Sequence, residues 1–168
     1  MGGSGMSFDE ILAANQEFQK GFQSQDLTGF AVKGLAIVTC MDSRIEPLKV
    51  VGMKGGDAKI LRNAGARVTE DVLRTLVLAT HLLGVKRVLV MPHTDCRMAS
   101  ADEPTIHQTI FYASGIDTRS IEIRTVSDQL AALKTDVTRI LTYPLLPQGI
   151  EVMGAIYDVK SGKLEKIV

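Results

Sequence analysis

The sequence predicts an α/β fold: a mostly parallel central β-sheet of about four strands plus a C-terminal antiparallel edge strand, flanked by helices and preceded by an N-terminal helical arm. Three observations predict it. Apolar runs of strand length, at 35–39, 58–61, 87–91 and 150–159, are separated by segments of helical period or by turn residues. The order strand, short crossover, strand, helix, strand is that of a parallel sheet. The turn Lys160-Ser161-Gly162-Lys163 then folds the last run, 164–168, back as an antiparallel hairpin.

Each element has a local reason. Ser7 and Glu10 have the spacing of a capping box and open the first helix. Phe8, Ile11, Leu12, Phe18 and Phe22 give that helix an apolar face, suited to packing on this chain or on a partner subunit. Residues 23–33 connect it to the first core strand, Leu35 to Thr39. Pro47 to Gly52 reads as a short helical turn, broken at Gly55-Gly56-Asp57 before the strand Ala58 to Leu61. Thr69, followed by Glu70 and Asp71, caps a helix that runs to about Leu83, with Gly84 placed to end it. Its inner face is Val72, Leu73, Leu76, Val77, Thr80 and Leu83. The third strand is Arg87 to Met91. Pro104 to Tyr112 is expected to be helical and to lie beside the site as a lid or flank. A helix from Val126 to about Thr142 ends at Tyr143-Pro144, because the residue before a proline avoids the helical region.

The composition excludes several classes. Hydrophobic residues make up 45% and charged residues 23% of 168, which suits one soluble domain with a substantial core. The formal net charge is zero, so no electrostatic footprint points to nucleic acid or an anionic membrane. No apolar run approaches the roughly 20 residues of a membrane span, and no signal peptide is visible. Residues 1–5 read as an appended leader before a native Met6, leaving 6–168 as a single domain. Two cysteines without a secretion signal point to a reducing, cytoplasmic setting, where thiols serve as metal ligands or reactive groups.

The chemistry concentrates in two strand ends, where open α/β sheets bind their ligands. Cys40-Met41-Asp42-Ser43-Arg44 follows the first strand, and His93-Thr94-Asp95-Cys96 follows the third. Both cysteines of the chain lie in these segments. Two thiolates and one imidazole, from Cys40, Cys96 and His93, form a donor set for zinc, and three protein ligands leave a fourth position open, as at a catalytic site. Two thiolates offset the charge of zinc, so bound water is acidified less than in an all-histidine site. Asp42 would orient that water, and Arg44 would hold Asp42 off the metal through a charge-assisted pair. Alternatively Asp42 is itself the fourth ligand, and the Cys₂HisAsp site is closed and non-catalytic. Of the remaining polar residues, Asp95 orients the His93 loop or caps the next turn. Arg62 and Asn63 position the loop of Gly65, whose missing side chain allows close backbone approach. His81 reads as structural or exposed, and His107 as a proton relay if its segment covers the site.

Together, Cys40-Met41-Asp42-Ser43-Arg44, Arg62-Asn63-Ala64-Gly65 and His93-Thr94-Asp95-Cys96 resemble the β-class carbonic anhydrases, in particular the compact bacterial and archaeal branch, over nearly all of the chain from about Phe8. The resemblance implies one zinc per chain held by Cys40, His93 and Cys96, a catalytic dyad of Asp42 and Arg44, and an obligate homodimer or higher homo-oligomer. It implies a lyase that reversibly hydrates CO₂ to bicarbonate and a proton, zinc-bound hydroxide attacking CO₂ in an apolar pocket, with Val38, Ala64, Ala66 and Val68 as its walls. Two positions depart from the family pattern. Arg97 stands where a glycine usually follows the second cysteine, and no glutamine lies at 30–34 before the first. The same scaffold carries hydrolases of carbonyl sulfide and carbon disulfide, so a sulfur analogue of CO₂ is the alternative substrate.

Overall fold

The computed structural model describes residues 5–24 and 26–168, so the leader read at 1–5 lies, apart from Gly5, outside the described residues. In chain order the elements are α1 (Phe8–Lys20), β1 (Leu35–Cys40), α2 (Pro47–Val50), β2 (Ala58–Asn63), α3 (Glu70–Leu82), β3 (Arg87–Met91), α4 (Glu103–Ser114), α5 (Gln129–Leu141), β4 (Glu151–Tyr157) and β5 (Leu164–Lys166). They form one five-stranded sheet in the order β2-β1-β3-β4-β5. β1 pairs parallel with β2 and β3, and β3 with β4, while β5 closes the sheet antiparallel to β4. The predicted architecture is the observed one. No helix among the described residues is long and apolar enough to cross a membrane.

The period of two along a strand divides the core into two layers. Ala36 and Val38 of β1 and Val88 and Val90 of β3 face Val72, Leu73, Leu76 and Ala79 of α3 and Leu133, Val137 and Ile140 of α5. Ile37, Leu89 and Met91 face the other way, with Ile45 and Ala155. Burial of a side chain such as Leu76 or Ile140, both fully buried, contributes about 1.5–3 kcal/mol. α1 is different. Its capping box forms as read from the sequence, Ser7 and Glu10 each accepting the other's main-chain N–H. Yet no residue of the helix is buried, and Phe8 is 85% exposed.

Boundaries moved where caps decide them. α4 starts at Glu103 because Asp102 accepts the Thr105 N–H, and it ends at Gly115 in the left-handed region. α5 starts at Gln129 rather than Val126, because Asp128 caps it and the Val126 N–H is already given to the Met98 carbonyl at 2.7 Å. β5 ends at Lys166, but Ile167 and Val168 still bond Gly154 through the main chain. Gly154 has no room for a side chain: a Cβ there would meet Val168 at 2.8 Å and Leu133 at 3.0 Å.

Candidate metal centre

The register of β1 sets the level of the site. Cys40 pairs with Asn63, the last residue of β2, and Thr39 pairs with Met91, the last residue of β3. The segments that leave β1 and β3 therefore emerge side by side at the C-terminal ends of the parallel strands. Met41 extends the ladder by one bond, its N–H donating to the Asn63 carbonyl at 2.9 Å. The chain then turns: the Asp42 carboxylate accepts the Arg44 N–H, and the Asp42 carbonyl accepts that of Ile45, which is buried and anchors the turn. Arg62 clamps the same turn, Nε donating to the Cys40 carbonyl at 2.9 Å and Nη2 to the Asp42 carbonyl at 2.6 Å.

Beyond β3, His93 makes a parallel bridge to Tyr157. The Thr94 N–H donates to the Tyr157 carbonyl and the Tyr157 N–H to that of Pro92, both at 2.9 Å. Gln129, the first residue of α5, donates from Nε2 to the His93 carbonyl at 2.8 Å. His93 is fully buried. Its Nδ1 lies 2.8 Å from the Thr94 carbonyl, which assigns the proton to Nδ1 and leaves a lone pair on Nε2.

This geometry brings Cys40 Sγ, His93 Nε2 and Cys96 Sγ within 4.8 Å of one another, all three residues buried. Both cysteines are free thiols. Nε2 of His93 is the one buried side-chain polar atom without a hydrogen-bond partner among the described residues. Such an orphan costs a few kcal/mol unless something occupies it. A lone pair aimed at two sulfurs is accounted for by a cation, and the S₂N donor set suits zinc. Cys40 Sγ also accepts the Gly65 N–H at 3.4 Å, as the partners of metal-bound sulfur commonly do. Burial pushes the Cys96 thiol above its ordinary value, with Cys40 beside it adding to the effect. Metal binding here would release protons.

Asp42 stands at the rim. Oδ2 is 3.8 Å from His93 Nε2, yet both carboxylate oxygens are engaged by Arg44, Oδ1 by Nε at 2.9 Å and Oδ2 by Nη2 at 2.7 Å. The Arg44 side chain, then its main-chain N–H, hold the Asp42 carboxyl far below the usual carboxylate range. It is therefore ionised at neutral pH.

The other residues singled out from the sequence fall as follows. Asn63 does hold the Gly65 loop, its side chain bonding both the N–H and the carbonyl of Arg67, whereas Arg62 serves the Cys40 turn instead. Asp95 pairs with Arg44. Arg97 is exposed, and its side chain has no hydrogen bond or ion pair among the described residues. Ala64 lines an open cleft of about 630 Å³, while Val38 and Val68 are fully buried in the core layer under α3 and α5, so they wall no opening. His107 bonds Thr118 and lies near Glu103, partners that belong to α4 and the segment after it rather than to the cluster. His81 reaches the Leu145 carbonyl from an exposed position. Two groups escaped the sequence reading. One is Gln129. The other is the ion pair of Arg67 and Asp136, at 2.7 Å with Asp136 only 3% exposed, which ties the Gly65 loop to α5. Neither leaves a spacing signal, because the partners lie far apart along the chain.

The chain is similar to known proteins. Residues 35–110 match the family model described as carbonic anhydrase. β-Carbonic anhydrase 1 of Mycobacterium tuberculosis is 33% identical over 160 residues, covering 95% of this chain and 96% of that protein. The crystal structure of a carbonic anhydrase from Streptococcus mutans superposes with a TM-score of 0.90 at 34% identity, covering 98% of this chain and 99% of that one. The carbon disulfide hydrolase of Saccharolobus solfataricus is 29% identical over 158 residues, covering 79% of this chain and 76% of that protein. With these similarities spanning the whole sheet and both segments of the cluster, the chain belongs to the β-carbonic anhydrase family of enzymes.

Proposed function

We propose that this protein reversibly hydrates CO₂ to bicarbonate and a proton, with zinc held by Cys40, His93 and Cys96 and with Asp42 and Arg44 as its catalytic pair. The observation that carries the reading is the orphaned, buried Nε2 of His93 beside two free thiols, with a carboxylate held ionised by Arg44 at the rim. When bound, zinc would supply a Lewis acid that acidifies water. Asp42 accepts a hydrogen bond from the reacting water and so orients it. Its carboxyl lies too low to store a proton at neutral pH. The proton is lost after water has replaced bicarbonate, when hydroxide is regenerated, and it leaves to buffer rather than to Asp42. Arg44 takes both oxygens of Asp42, which keeps the carboxylate off the cluster and supports the open, catalytic arrangement over a closed Cys₂HisAsp one.

The unit is a single domain over 6–168. The apolar face of α1, bare on this chain, supports a homodimer or larger homo-oligomer in which a second copy covers it. A pair of free thiols within one buried cluster suits a reducing, cytoplasmic compartment. The second reading, hydrolysis of a sulfur analogue of CO₂, is favoured by the similarity to carbon disulfide hydrolase. Stopped-flow CO₂ hydration, run beside carbonyl sulfide and carbon disulfide hydrolysis on one zinc-loaded sample, decides between them. Hydration well above the buffer rate is expected. Hydrolysis of a sulfur substrate without CO₂ hydration would overturn the proposal.

A further inference from the structure

Asp95 lies between two residues of the cluster, and both its polar groups serve Arg44. Nη1 of Arg44 donates to the Asp95 carboxylate at 2.8 Å, and Nη2 donates to the Asp95 carbonyl at 3.1 Å. To present both, the Asp95 backbone sits at φ 55°, in the left-handed region. That region is costly for a residue with a Cβ, though Asp and Asn bear it better than most. Strain of this kind beside a reacting centre points to a role there.

Arg44 is a rigid, planar fork. Its Nε and Nη2 hold Asp42, which stands two residues before it in the same turn. That pair alone could swing as a unit, because both members ride on one loop. Asp95 rides on the other loop, the one that carries His93 and Cys96. The geometry points to Asp95 as a positioning residue: by gripping Arg44 from the second strand end, it fixes the Asp42–Arg44 pair relative to the Cys40–His93–Cys96 cluster. This rests on the reading of Asp42 and Arg44 as the pair that orients the reacting water. The Asp95 side chain is 66% exposed, so its contribution to global stability is small. Fold and function are thus separable at this position.

The test uses zinc-loaded Asp95→Gly and Asp95→Asn, with Arg44→Ala as reference. Glycine takes the left-handed backbone freely but has no carboxylate, whereas asparagine keeps one acceptor oxygen. Four quantities are measured: melting temperature, zinc content, kcat and KM for CO₂ hydration, and solvent exchange of the Arg44 Nε–H in nitrogen-15 spectra, assigned by its loss in Arg44→Ala. Asp95→Gly is expected to melt no lower than the parent and to keep its zinc. Its kcat should fall about tenfold with KM unchanged, with faster exchange at Arg44. Asp95→Asn should recover part of both. A parental kcat and a parental Arg44 signal in Asp95→Gly, beside a nearly inactive Arg44→Ala, overturn the positioning role and leave the catalytic pair standing. Loss of zinc or early melting in Asp95→Gly would make the residue structural, which also overturns the proposal. A parental rate in Arg44→Ala removes the catalytic pair itself, and this role with it.

Discussion

Gly65 joins the fold to the site, and Gly65→Ala puts a number on that junction. The residue sits at φ 83° two positions past the end of β2, and its N–H donates to Cys40 Sγ at 3.4 Å. An alanine there carries a left-handed backbone cost of about 1–2 kcal/mol. Its Cβ would also lie 3.2 Å from both Cβ and Cγ of Met98. Met98 cannot simply retreat, since its carbonyl holds the Val126 N–H at 2.7 Å. That crowding adds about 1–2 kcal/mol. The sum of roughly 2–4 kcal/mol lowers the melting temperature by about 5–15 °C for a chain of this length. Any shift of the Gly65 N–H away from Cys40 should weaken zinc binding by about tenfold. Calorimetry on the loaded protein and chelator competition read the two effects separately. Gly162→Ala is the control: φ is 74° and nothing lies within 4 Å of the new Cβ, so only the backbone cost applies. Equal losses in the two variants would show that the Met98 contact plays no part. A parental melting point in Gly65→Ala would refute the reasoning outright.

Other perturbations follow from the same contacts. Arg67→Ala leaves Asp136, only 3% exposed, without its cation; the loss of about 3–5 kcal/mol should appear as a large fall in the urea midpoint. Removing residues 6–22 should uncover apolar surface on a partner copy and weaken self-association in light scattering, whereas a parent chain that scatters as an active monomer would contradict the oligomer. On acidification the folded state should lose stability below about pH 4. Asp117, held below its usual range first by the Arg119 side chain, and Asp102, held first by Thr105, favour folding above that pH and lose the advantage as they protonate. Asp117→Asn should flatten the acid limb of an unfolding series.

How much was legible depends on how local each cause is. The strands could be read because parallel strands buried on both faces are near-continuous apolar runs, as Leu35 to Thr39 and Arg87 to Met91 are. The cluster could be read because metal chemistry admits few residue types, and Cys40, His93 and Cys96 come together in space. Arg62 and Asn63 were read as one unit, but successive strand residues face opposite ways: Asn63 turns to the Gly65 loop and Arg62 to the Cys40 turn. Of the four wall positions, Ala64 lines a cleft and Ala66 borders a small cavity with Cys96, whereas Val38 and Val68 are buried in the core. Val38 shares the α3 face of the sheet, and nothing in a run of apolar residues says which face a ligand uses. The grip of Asp95 on Arg44 depends on a backbone angle, and the Gln129 contact on where Asp128 caps α5.

The most direct measurement of the central claim is zinc per chain in Cys96→Ser beside the parent, by elemental analysis after dialysis against a weak chelator. One zinc per parent chain is predicted, with loss of the metal in the variant, since a serine hydroxyl is a poor replacement for a thiolate on zinc. Full occupancy in a folded Cys96→Ser would contradict the account by removing Cys96 from the metal site.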